Sequence, residues 1–182
     1  MGPPLARAAH FGSLLAVLLL AGCGLAPVRQ APGLGLGGGA RLDPALNGDG
    51  RLLASVLERE GRGRVILQEQ PGGGLSRLRL RRRLPHSSPS LSWNGRYLAV
   101  LVQEGPGRRA VIEDRLRGRV LRLPLPPGSQ PERLSLASDG SRLAVQVLRN
   151  GRRGVELFDL RGLLEPDLPP AQPVRGGGVG QP

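Results

Sequence analysis

The sequence predicts an all-β chain built from three four-stranded antiparallel units. Two observations predict it. The first is a hairpin signature, Leu91-Ser92-Trp93-Asn94-Gly95-Arg96-Tyr97-Leu98-Ala99-Val100. It reads as strand, tight turn, strand, because Asn-Gly between β-prone residues accepts the positive φ of a short hairpin turn. The second is recurrence. The pattern returns around Asp49-Gly50 and around Asp139-Gly140, so the turn glycines Gly50, Gly95 and Gly140 stand 45 residues apart. Without gaps, Leu46, Leu91 and Leu136 align, as do Leu53, Leu98 and Leu143, and Ala54, Ala99 and Ala144. A fixed period of this size marks a repeat architecture.

Composition agrees. Apolar residues are 39% of the 182, but aromatics only 2%, so the core has to be built from Leu, Val, Ile and Ala. With 29 Gly and 18 Pro, turns are favoured over long helices. The formal charge is +12 and every cation is an arginine. These arginines are spread along the chain, and they predict attraction to anionic surfaces. The one cysteine, Cys23, excludes an internal disulfide.

Residues 1–22 read as an export signal. Arg7 gives a short positive region, and Phe11 to Leu20 is an apolar run too short to span a bilayer. Leu20-Ala21-Gly22-Cys23 then resembles the lipobox of bacterial lipoproteins. The resemblance implies that Cys23 takes a diacylglycerol on its thiol and becomes the acylated N-terminus. Several acyl chains anchor far more firmly than one. Gly24 follows where an Asp would favour the inner membrane, so the expected location is the periplasmic side of the cell envelope, on the outer membrane. Residues 23–40 are rich in Gly and Pro without a period and read as a flexible tether.

The repeats occupy about 41–84, 85–129 and 130–168. In the first, Leu52–Leu57 and Val65–Leu67 are strands. Leu75–Leu84 alternates leucine with Arg77, Arg79, Arg81 and Arg83, which predicts an outer strand with one apolar and one charged face. The second has strands at Leu91–Trp93, Tyr97–Gln103, Ala110–Glu113 and Val120–Leu123. The third has strands at Leu134–Leu136, Leu143–Leu148 and Val155–Phe158. Pro166, just after Leu163-Leu164, weakens a fourth strand, because proline cannot donate to a ladder. Residues 169–182 read as a disordered tail.

A four-stranded meander of about 45 residues matches the blade of a β-propeller. The segments Pro89-Ser90-Leu91-Ser92-Trp93-Asn94-Gly95-Arg96 and Leu134-Ser135-Leu136-Ala137-Ser138-Asp139-Gly140-Ser141 resemble the repeats of TolB-type propellers; Asp43–Gly50 is a looser match. Family propellers have more blades than three, and the proline before the turn Asp or Asn is missing here. The expected fold is therefore a partial propeller or one completed by a second copy, three blades plus three. A two-layer β-sandwich is the alternative packing.

Catalytic chemistry is scarce. After processing, only His86 remains among histidines, in His86-Ser87-Ser88-Pro89, where it reads as a solvated loop residue. Asn47-Gly48-Asp49-Gly50 is faintly like the start of a calcium loop, but Ala45 occupies an expected ligand place and the equivalent turns explain it as hairpin chemistry. No cofactor or metal is expected. Trp93, Tyr97 and Phe158 sit on expected strands and read as core. Arg77, Arg79, Arg81, Arg82 and Arg83 are the candidate anion-binding residues, for an anionic envelope lipid or glycan; the plainer reading is a charged outer strand guarding an open edge. Export excludes nucleic acid as the partner. The resemblance implies a non-enzymatic binding or scaffold module with protein partners in the envelope.

Overall fold

The computed structural model describes residues 39–169, which form three antiparallel sheets. The first contains β1 (Ala40–Leu46), β2 (Leu52–Arg59), β3 (Arg62–Glu69) and β4 (Leu75–Ser76). The second contains β5 (His86–Leu91), β6 (Tyr97–Glu104), β7 (Gly107–Asp114) and β8 (Arg119–Arg122). The third contains β9 (Gln130–Leu136), β10 (Arg142–Arg149) and β11 (Arg152–Asp159). Each sheet is a meander in sequence order. The first strands β1, β5 and β9 lie beside one another, so the blades stack along a common inner edge. Three blades in an open row are a partial propeller, not two facing layers. Cys23, the expected export signal, most of the expected tether and residues 170–182 lie outside the described residues. Ala40, read as the end of the tether, already pairs with Glu58 as the first residue of β1. Among the described residues, no helix is long and apolar enough to cross a membrane.

The sequence of β6 explains the stacking. Tyr97 to Val102 are all buried, an unbroken apolar run of the kind seen when both faces of a sheet are covered. Leu98, Val100 and Val102 belong to the core shared with the first blade, beside Ala54, Val56 and Leu67. Tyr97, Ala99 and Leu101 belong to the core shared with the third, beside Leu143, Val145 and Val147. In β10 only alternate residues are buried, because one face has no neighbouring blade.

The repeated turns follow one scheme. Gly50, Gly95 and Gly140 donate back to Asn47, Ser92 and Ala137, three residues earlier. Only the glycine of each Asn-Gly or Asp-Gly pair takes positive φ, at 72°, 68° and 77°. The connection is therefore longer than a two-residue hairpin loop, a turn whose last residue is left-handed. The turns are also tied to each other. Gly48 N–H donates to the Trp93 carbonyl at 2.9 Å, and Trp93 N–H donates to the Ser138 carbonyl at 2.6 Å. Trp93 is thus not a strand residue; its half-buried ring lies against Gly48, where a Cβ would stand 2.3 Å from it. Tyr97 and Phe158 do pack in the core between the second and third blades.

One expected strand is cut short and another is absent. Residues 77–84 are irregular, because β4 stops at Ser76. The leucines still turn inward, Leu80 being buried, and the five arginines are exposed. The third blade has no fourth strand. In its place Leu160 and Leu164 are buried in the core, and the chain turns back over the second blade. Asp167 there accepts from the Ser92 hydroxyl, the Asn94 N–H and the Asn94 side-chain amide.

Candidate functional site

Two surfaces stand out, at opposite ends of the row. The first begins with β4. Its ladder reaches only from Gln68 to Leu67, so the Arg62–Ile66 half of β3 has no strand on that side. His86, the first residue of β5, covers part of this edge. Gly63 lies so near β5 that a Cβ there would stand 2.7 Å from the His86 carbonyl oxygen. His86 is buried, not solvated as its loop-like sequence suggested, and its Nδ1 accepts from the Val65 N–H at 3.4 Å. Burial pushes the His86 imidazole below its ordinary pKa, the Arg81 backbone acts the other way, and nearby Arg64 lowers it further.

Glu113 holds the middle of the connector. It is buried on β7 and accepts from the Arg79 N–H at 2.9 Å and the Leu80 N–H at 3.2 Å. Burial raises its carboxyl above the usual range, although these two amides oppose the shift. Nothing in the sequence pointed to Glu113, whose positions one repeat away are Gln68 and Phe158. Its neighbour Asp114 is also buried; burial would raise it, but the Arg117 N–H and the Arg96 guanidinium outweigh that and hold it low.

The predicted arginines do not act as one face. Arg82 and Arg83 join Arg59, Arg62 and Arg64 around one cleft. Arg77 and Arg82 join Arg64 around a second. Arg79 and Arg81 line a third, beside Leu80 and Arg122. Arg62 and Arg64 were not singled out in the sequence, since they lie a hairpin away from the run.

The second surface is the uncovered face of the third blade. Val155 and Leu157 are 69% and 63% exposed. They pair with Gln146 and Ala144 across β10. One repeat earlier, Ala110 and Ile112 pair with Leu101 and Ala99, and all four are fully buried against the third blade. The third blade therefore presents the kind of face that its neighbour buries. Its outermost strand β11 has β10 as its single neighbour.

The possible calcium loop is engaged as a turn. Asn47 Nδ2 donates to Asp49 at 2.7 Å and to the Trp93 carbonyl at 2.9 Å, while Asn47 Oδ1 accepts from the Leu52 N–H. Asp49 accepts from the Arg51 N–H, which holds its carboxyl below the usual range. Among the described residues, no three His, Cys, Asp or Glu side chains are grouped to hold a metal ion.

No protein-family model matches the sequence, and no curated protein matches it. Solved structures do match the fold. TolB from Acinetobacter baumannii superposes with a TM-score of 0.54 at 18% identity, over 65% of this chain and 30% of that one. A candidate TolB from Agrobacterium tumefaciens gives 0.56 at 13% identity, over 68% and 46%. The β-propeller domain of the Trilobed protease from Pyrococcus furiosus, a domain of open velcro topology, gives 0.53 at 14% identity, over 68% and 40%. The chain thus spans less than half the length of each. At these identities the likeness concerns the fold: residues 39–169 are a three-bladed, unclosed arc of TolB-like β-propeller architecture.

Proposed function

We propose that this chain is a non-enzymatic binding module of the bacterial cell envelope, anchored by lipid on Cys23 and facing the periplasm, which holds a protein partner on the open face of its third blade. The observation that carries this reading is the pair Val155 and Leu157. They are exposed on a β-sheet face whose counterpart one repeat earlier is buried against a blade. Exposed apolar residues on an otherwise regular sheet mark a surface that another element covers. The TolB-like fold supports a binding role, since propellers present faces and loops rather than one fixed chemistry. The lipid sets the location and residues 23–38 set the reach.

The test is photo-crosslinking in cells from position 157, with position 116 on the second blade as control; Leu116 is also exposed. A reproducible envelope-protein adduct from 157, absent from 116 and lost with Cys23→Ser, is expected. An adduct made only of second copies, with a dimeric native mass for the lipid-free chain, would replace the scaffold reading with a propeller completed by self-association. Equal labelling from both positions would overturn the assignment of the face.

A further inference from the structure

The clefts beside β3 are built for a different ligand. The first has a volume of about 580 Å³ and is lined by Arg59, Arg62, Arg64, Arg82 and Arg83, with Glu60 as its one carboxylate. The second, of about 560 Å³, sets the apolar side chains of Val65, Ile66, Leu75, Leu78 and Leu80 beside Arg64, Arg77 and Arg82. Arg64 and Arg82 line both, so they stand where the charged space meets the apolar one.

Charge is concentrated here. Some exposed arginines elsewhere find carboxylates, as Arg117 does with Glu165, Arg122 with Glu104, Arg153 with Glu132 and Arg161 with Asp159, and others such as Arg133 and Arg152 stand apart from carboxylates but singly. Arg62, Arg64, Arg82 and Arg83 have no carboxylate partner among the described residues. Guanidinium groups present paired donors that match the oxygens of a phosphate. Four unpaired guanidiniums beside an apolar cleft fit a ligand that is anionic at one end and hydrocarbon at the other. A free phosphate or a sulfated sugar would leave the second cleft unused.

We propose that this pair of clefts binds a phosphate-bearing lipid, with the headgroup among Arg62, Arg64, Arg82 and Arg83 and the first six carbons of an acyl chain against Ile66, Leu75 and Leu78. The site lies on the first blade and the connector, and it does not depend on protein docking at the third blade. The clefts exist because β4 is two residues long, because Glu113 holds the connector at Arg79, and because His86 meets the free edge of β3 at Val65.

The experiment is titration of the purified chain with monomeric dihexanoyl phosphatidic acid at low salt, read by calorimetry. Saturable one-site binding is expected, with inorganic phosphate and dihexanoyl phosphatidylcholine each weaker by about tenfold or more. Shortening the acyl chains to four carbons should weaken binding, by about fourfold for each methylene fully buried. The exposed pair Arg64→Gln with Arg82→Gln should lose about tenfold or more. Arg133→Gln with Arg152→Gln removes the same charge from the third blade and should change affinity by less than about threefold. Equal losses in the two double variants would reduce the effect to net charge and overturn the site. Inorganic phosphate binding as tightly as the lipid, or no dependence on chain length, would overturn the lipid assignment. Absence of saturation would overturn both.

Discussion

Asp167 reaches back 75 residues to Ser92, whose hydroxyl donates to its Oδ2 at 2.5 Å. The same carboxylate accepts from the Asn94 N–H and side-chain amide, and Ser92 in turn accepts the Tyr97 N–H at 2.9 Å. A residue near the end of the described chain thus completes the turn of the second blade. Asp167→Ala takes a charged acceptor from the buried Ser92 hydroxyl and from two donors of the more exposed Asn94, and should destabilise the fold by about 2 kcal/mol. Urea unfolding checks this; a midpoint equal to that of the parent chain would mean the strap is decorative.

The turn glycines differ in what surrounds them. At Gly50 an added Cβ meets open space, whereas at Gly140 it stands 2.9 Å from the Tyr97 ring. Both have positive φ. Gly50→Ala should cost only the left-handed backbone strain, about 1 kcal/mol. Gly140→Ala adds overpacking against a buried ring and should cost about 1–3 kcal/mol more. Equal effects in thermal melts would show that Tyr97 yields freely.

Ile112 and Leu157 occupy equivalent positions, yet one is fully buried and the other 63% exposed. Ile112→Ala should cost about 2–5 kcal/mol. Leu157→Ala should stay within about 0.5 kcal/mol for the free chain. A large loss at Leu157 in dilute solution would mean that its face is already covered.

His86 carries a pH dependence with a definite sign. Its folded pKa lies below the ordinary 6.5, so between the two values the unfolded chain binds more protons. Stability should therefore fall as pH drops below about 6.5, until the folded imidazole also protonates. His86→Gln removes this contribution. Chemical denaturation at pH 7.5 and 5.5 tests it: a gap between parent and variant that does not change with pH would rule out titration at His86.

The blades were legible because their signal is local and repeated. A glycine that must be left-handed, followed by a run of apolar residues, is written the same way three times. The unbroken run Tyr97–Val102 in β6, expected above only as a strand, also carries the mark of two covered faces. The basic clefts were half legible. Alternation in residues 77–84 correctly gave leucines inward and arginines outward, but it cannot say whether such a segment pairs with a strand. That was decided by Glu113, 33 residues beyond Leu80, and by the early end of β4. The strap ending in Asp167 was illegible for a similar reason. It has no period, and its partners Ser92 and Asn94 lie in another blade.

The hydrogen bonds that join Gly48 to Trp93 and Trp93 to Ser138 all lie at one end of the strands, where β1 meets β2, β5 meets β6 and β9 meets β10. The hairpin tips at Glu60-Gly61, Gly105-Pro106 and Asn150-Gly151 lie at the other end. The arc is therefore gathered like a hand fan at its pivot. Its leaves are pinned by backbone bonds along one rim, and inserted residues there would break the chain of bonds from blade to blade. The opposite rim, which includes the mouth of the arginine-lined cleft at Glu60 and Arg62, is the one where added length or a change of spread costs least.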